Sequence, residues 1–499
     1  MTEPKPPGKD ARQAGLGAVA LRGAALTMGG QVLKIAIQFG GLIIVARLLS
    51  PQDYGVMAMV MAIVGVGEVL REFGLSSASV QARSVTVQQR TNLFWMNAGM
   101  GLVLMAVTLL AAPWIAAWYK TPALQAVAQA VSVTFLINGL ASQYRANLNR
   151  DMRFGALAAI DVSGQAVALG LGIVLALRGH GYWALVAQQL GQAASILLLL
   201  VMTGRWLPGL PRRCEGMGAF FSYGWNLMLT QMIGYLSRNV DSVVIGHKFG
   251  PELLGHYNRA SQFVMAPLTQ ISAPAGTVAL PVLSRLRDDK ERYREFLVYG
   301  QSALLHLLLS GLAFVCVHAH ALVLLVLGSK WEAIVPFFHV LAVGGMFQAA
   351  GYASYWAFLS QGMTRENLRL ALVSRPVLIA CILLGSLGGV LGVAVGYTLG
   401  LAINWLWGLW WLKGSGAPVR RLLGNAAMLF AVYASCAAAS GWLTHALRVD
   451  GLASVLTGAA GMLGAFAVFC VVVPPFRKSV KSLGRMKALA KQSRAKGAA

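Results

Sequence analysis

Six basic side chains stand inside apolar stretches of this chain: Lys34, Arg47, Arg71, Arg238, Arg259 and Arg375. Four acids share that setting, Glu68, Glu72, Asp161 and Asp241. A charge at the centre of a bilayer costs about 2.5–3.5 kcal/mol on insertion scales, so these residues should face protein or a water-filled cavity. Six cations against four acids make such a cavity net positive and suited to an anion. Lys34 shares one helical face with Thr27, Gln31 and Gln38, about eleven residues into its span and so near mid-membrane, with no acid in its own helix. Arg71 lies within a turn of Glu68 and Glu72, and Arg238 is three residues from Asp241, so internal pairing is an alternative for both. Arg259 is close enough to a span end to snorkel, Arg47 sits at one, and Arg375 is about eight residues from another.

Asp161, with Gln165 one turn on, could take up a proton or bind sodium, and Glu68 and Asp241 are further candidates for ion coupling. Gln348, Tyr352 and Tyr355 form a row at i, i+4 and i+7 whose rings could stack on sugar faces, although helix packing accounts for them as well. His306 and His339 stand alone on apolar faces and read as core. The five cysteines form no CxxC pair, so neither a metal site nor a disulfide is expected. No catalytic constellation and no glycine-rich phosphate loop occur, which excludes ATP hydrolysis by this chain. Beyond a coupling proton or sodium ion, no cofactor is expected.

Membrane spans must position these residues. Of the 499 residues 57% are hydrophobic and only 12% charged, against about 25% charged in soluble proteins. Fourteen apolar runs, from 23–49 to 452–474, are each long enough for a helix that crosses a bilayer. The expected fold is an all-α polytopic membrane protein of about fourteen transmembrane helices. With both termini in the cytoplasm, thirty of the 41 Lys and Arg fall in cytoplasmic loops and tails, and only Lys120, Arg178, Lys248, Lys330 and Arg448 in outer loops. The net charge of +24 therefore follows the membrane. Eight cations after residue 476 suit anionic lipid heads, and no nucleic-acid partner is expected.

A weak internal repeat divides the chain. Ser50-Pro51-Gln52-Asp53-Tyr54-Gly55 after the first span is matched by Gly250-Pro251-Glu252-Leu253-Leu254-Gly255 after the seventh. An offset of six helices preserves orientation and predicts two parallel, facing six-helix bundles. The expected organisation is a cytoplasmic tail (1–22), a first bundle (23–204), a cytoplasmic linker (205–217), a second bundle (218–413), two extra helices (414–474) and a basic cytoplasmic tail (475–499).

The segments ARLLSPQDYGVMAMV (46–60), LREFGLSSASVQ (70–81), NLFWMN (92–97), NRDMRF (149–154), GHGYWALV (179–186), SRNVDSVVIG (237–246), LGHYNRA (254–260) and PVLSRL (281–286) occur in order. Through them the chain resembles the polysaccharide transporter flippases, of Wzx-like, colanic-acid and xanthan type, in the multidrug/oligosaccharidyl-lipid/polysaccharide exporter superfamily. The resemblance covers most of 25–300 and thins afterwards. It implies a multi-pass protein of the bacterial inner membrane that moves undecaprenyl-diphosphate-linked oligosaccharide repeat units between leaflets by alternating access, for exopolysaccharide or lipopolysaccharide synthesis. A polysaccharide polymerase and export machinery would be its partners. It also implies roles for Arg238 and Asp241 of SRNVDSVVIG, Arg259 of LGHYNRA, and Arg71 with Glu72 of LREFGL. Lys34 rests on its own surroundings. The competing readings are a peptidoglycan-precursor lipid flippase, a cation-coupled antiporter of the same superfamily and, as an enzyme, a membrane glycan polymerase; the short outer loops disfavour the last.

Overall fold

The computed structural model describes residues 29, 33–72, 79, 85–212 and 217–481, with the side chains of 218–224, 226, 227 and 230 excepted. Thr27 and Gln31, expected beside Lys34, lie outside the described residues, as do the tails at 1–22 and 482–499. Among the described residues every regular element is a helix. We label α1 (33–48), α2 (Pro51–Glu72), α3 (Val87–Trp118), α4 (Ala123–Arg150), α5 (Phe154–Leu177), α6 (Trp183–Gly204), α7 (Met217–Arg285), α8 (Lys290–Val317), α9 (Ala319–Val326), α10 (Val335–Ser360), α11 (Thr364–Gly385), α12 (Gly389–Trp411), α13 (Val419–Ala446) and α14 (Gly451–Val472). Among the described residues, eleven helical ranges are long and apolar enough to cross a membrane. Two of them, Gln231–Arg285 and Thr364–Trp411, each contain two helical stretches, broken at Gly250 and at Ser386–Gly388. The expected polytopic all-helical architecture is the one observed.

Local chemistry sets the helix starts. Before α2, Ser50 Oγ accepts from Asp53 N–H while the Asp53 carboxylate accepts from Ser50 N–H and its hydroxyl. This reciprocal box satisfies donors that the helix itself leaves open, with Pro51 preset for the first turn. Its repeat counterpart works by a break: Gly250 takes φ 85° and ψ 178°, values that glycine adopts without strain, and Pro251 restarts the helix. Thr86 and Gln89 form a second capping box on α3.

The described residues divide into two compact units, the first running to Asn239 and including Gly250–Glu252, the second comprising Val240–Phe249 and the chain from Leu253. In the first, α3 and α4 approach so closely that a Cβ at Gly139 would stand 2.6 Å from the Asn97 carbonyl oxygen, the small-residue packing that apolar spans use in place of a hydrophobic drive. Phe94, Tyr144, Leu148, Leu157, Ile160 and Leu200 form a core shared by α3, α4, α5 and α6. Tyr235 of α7 joins this unit by donating to the Met61 carbonyl at 2.8 Å. In the second unit, a Cβ at Gly396 would run into the Cys381 carbonyl, so α11 and α12 lie backbone to backbone. His306 of α8 contacts Tyr433 at 2.8 Å and Ser479 at 3.0 Å, holding the helical stretch 474–481 against α8 and α13.

Candidate functional site

Asp161 is the centre of the polar group in the first unit. Lys34 Nζ of α1 approaches its carboxylate at 3.7 Å, and Arg145 of α4 donates to it at 2.5 Å and 3.4 Å through two guanidinium nitrogens. The side chains keep 32% (Lys34), 38% (Arg145) and 24% (Asp161) of their exposure, so the group meets its surroundings with one positive charge in excess. Lys34, which has no acid in its own helix, takes its partner from α5, 127 positions away. Asp161 is the eighth residue of the 24-residue α5, about 10 Å along a helix that rises ~1.5 Å per residue, so the group lies about a third of the way along that helix. Gln165, one turn on from Asp161, accepts from Gln192 of α6 at 3.0 Å through its side-chain oxygen.

Arg145 was missed. An apolar run closing at 144 puts it in a loop, whereas α4 continues to Arg150. The signal was available in the stretch 140–150, which has no Gly or Pro to end the helix. Core packing of Tyr144 and Leu148 on Leu157 and Ile160 then turns Arg145 and Asp161 toward one another.

Within α2, Arg71 pairs with Glu68 at 2.6 Å, which decides between the two acids that flank it. Asn138 of α4 closes the set, donating to Glu68 at 2.5 Å while its carbonyl accepts from Arg71 at 3.3 Å. Arg71 is buried and its charge is spoken for at two points. Arg238 folds back along α7 over Gly234.

In the second unit, Asp241 is 5% exposed, and its carboxylate accepts from the Tyr257 hydroxyl at 2.7 Å and from Ser242 N–H at 2.8 Å. The i,i+3 partner offered by the sequence is replaced by one sixteen residues on, beyond the break at Gly250. Arg259 donates to Gln262 at 2.6 Å and is only 8% exposed, so it is held within the protein and does not snorkel. Tyr352 accepts from Gln348 at 3.5 Å on its own helix. Tyr355 and Arg375, unrelated in the sequence reading, border one cavity of about 180 Å³ between α10, α11 and α12.

The chemistry on offer is electrostatic: clustered cations, one half-open carboxylate, one buried carboxylate and a polar cavity. A family model described as polysaccharide biosynthesis protein matches residues 44–336, more than half of the chain. The chain belongs to this family. That match includes Arg71, Asp161, Arg238, Asp241 and Arg259, and leaves Lys34 and Arg375 outside. The teichuronic acid biosynthesis protein TuaB of Bacillus subtilis is 27% identical over 354 residues, 69% of this chain and 72% of that one. The lipopolysaccharide biosynthesis protein WzxC of Escherichia coli is 23% identical over 380 residues, 75% of this chain and 76% of that one. Among solved structures, the lipid II flippase MurJ in an inward closed conformation superposes with a TM-score of 0.68 at 14% identity, covering 90% of this chain and 99% of that one. An inward-facing multidrug transporter of the MATE family, from the same superfamily that the motifs pointed to, superposes with a TM-score of 0.58 at 15% identity, covering 78% and 96%. At such identities the likeness is one of fold.

Proposed function

We propose that this protein is a flippase for undecaprenyl-diphosphate-linked oligosaccharide repeat units, carrying them across the bacterial inner membrane by alternating access. The observation that carries the reading is the Lys34–Asp161–Arg145 group, in which two cations share one carboxylate and remain partly open. An arriving diphosphate competes with Asp161 for both cations, which it can reach because the group is partly open. Membership of a polysaccharide biosynthesis family and the shared fold support a sugar-linked lipid as the cargo. Arg238 and Arg259 are further candidate contacts for the diphosphate, with Arg71, already paired to Glu68, a weaker one.

The ion-coupling role falls to Asp161, with Glu68 and Asp241 as the other carboxylates. A proton or sodium ion that reaches Asp161 loosens its hold on Lys34 and Arg145 and readies them for the diphosphate. The moving parts are the six-helix bundles 23–204 and 218–413, with both chain ends in the cytoplasm, and the polymerase and export machinery take the cargo onward. The test is to delete the gene in its host and analyse lipid-linked intermediates. Complete repeat units should accumulate on the inner leaflet, a plasmid copy should clear them, and Lys34→Ala should not. Undiminished polymer export in the deletion strain would overturn the reading.

A further inference from the structure

The cavity between α10, α11 and α12 has chemistry that diphosphate binding does not use. Its polar lining is Ser354 of α10, Asn367 and Arg375 of α11, and Asn404 and Trp405 of α12, with the ring of Tyr355 beside them. Ser354 and Trp405 are 4% and 5% exposed, yet Ser354 Oγ and Trp405 Nε1 have no hydrogen-bond partner among the described residues. Buried donors are nearly always satisfied, and an unsatisfied pair bordering one cavity points to a partner that enters it. Every polar side chain there can donate, through a guanidinium, an indole, two amides and a hydroxyl, and none is a carboxylate.

That imbalance selects the ligand. A neutral sugar, whose hydroxyls both donate and accept, could be served by the two amides and the hydroxyl, but makes no use of the guanidinium charge. A sugar acid presents an acceptor-only anionic group, which Arg375 and Trp405 Nε1 can both serve. Tyr355 is 46% exposed and offers a flat apolar face for the C–H side of the ring. The cavity of about 180 Å³ has room for a single sugar ring.

We propose that this cavity is a subsite for one acidic sugar ring, a hexuronate, with its carboxylate on Arg375 and Trp405 and its ring face on Tyr355. The proposal rests on the flippase reading, since the ring would belong to the carried oligosaccharide. The full-length chain in lipid nanodiscs is titrated with methyl β-D-glucuronide, methyl β-D-glucoside and inorganic phosphate, and binding is read by ligand-observed NMR. The glucuronide should bind at least about ten-fold more tightly than the glucoside, the scale of one charge-assisted contact. Trp405→Phe keeps a ring but removes the donor and should weaken glucuronide binding by about ten-fold. Arg375→Gln should abolish the preference for the acid. Gly351 borders the cavity and a Cβ there meets nothing within 4 Å, so Gly351→Leu should fill the space and eliminate binding without disturbing its neighbours.

Equal binding of the two glycosides would overturn the proposal. Phosphate competing as well as the glucuronide would reduce the cavity to a bare anion site and overturn it too. So would Gly351→Leu binding normally; if that variant fails to fold, Trp405→Phe decides alone. The measurement needs no gradient and no lipid carrier. Glucuronide binding without any flipping therefore overturns the function and spares the cavity, while flipping without glucuronide binding does the reverse.

Discussion

Two membrane-embedded carboxylates of this chain, Asp161 and Asp241, are held in opposite ways. Asp161 faces two cations, keeps 24% of its side-chain exposure, and leaves its group with a net positive charge. Asp241 is 5% exposed and takes neutral donors, the Tyr257 hydroxyl and the Ser242 amide. The first arrangement can be disturbed from outside, since an anion or a cation entering the region competes directly for partners already in place. The second is closed, and any change there falls on the packing of α7 with itself across Gly250. An acid in a membrane helix thus becomes switchable or structural according to whether its partners carry charge and can be reached.

The contrast breaks most sharply if the cations at Asp161 are removed. Converting Lys34 and Arg145 together to Gln should lower the rate of flipping by about a hundred-fold or more, the equivalent of two charge-assisted contacts at ~1.5–3 kcal/mol each. Membrane abundance should not change, because both side chains are partly exposed. Lys34→Arg, which keeps the charge, should retain most activity. A double variant that transports normally would remove the basis for treating Asp161 as the working carboxylate.

Next comes the closed site. Tyr257→Phe deletes one donor to a buried carboxylate and should lower stability by about 1.5–3 kcal/mol, seen as a drop of several degrees in Tm in detergent. Asp161→Asn, measured in parallel, should leave Tm almost where it was and change the dependence of transport on the ion gradient instead. If both variants lose stability equally, the distinction between the two acids fails.

The smallest effect is expected at Arg71, which lies between the extremes because it is buried but ion-paired. Arg71→Lys keeps a charge for Glu68 but lacks the guanidinium fork that also reaches the Asn138 carbonyl. A loss of about 0.5–1.5 kcal/mol in stability, with flipping nearly intact, is the expected outcome. A large loss of flipping at unchanged Tm would move Arg71 into the group that handles the cargo.

Much of this protein was legible before any fold was known. Apolar run lengths set the spans, since a bilayer demands some twenty apolar residues per helix whatever surrounds it. The Glu68–Arg71 pair could be named from its spacing, because contacts three or four residues apart depend only on the pitch of one helix. The SPQDYG and GPELLG motifs were identifiable as helix starts for the same local reason. What joins residues of different helices was not legible. Lys34 meeting Asp161, Arg145 completing them, Asp241 choosing Tyr257, and Tyr355 with Arg375 and Trp405 bordering one cavity all depend on the register at which helices pack. Register is set by close approaches such as Gly139 on Asn97 and by the interlocking of side chains such as Tyr144 and Leu157. The sequence alone determined that the chain is built of membrane-spanning helices and where most of their charged groups lie. Only the tertiary structure decided which of those groups share charge, because a shift of one residue in helix packing turns a side chain by about 100° and exchanges every partner it has.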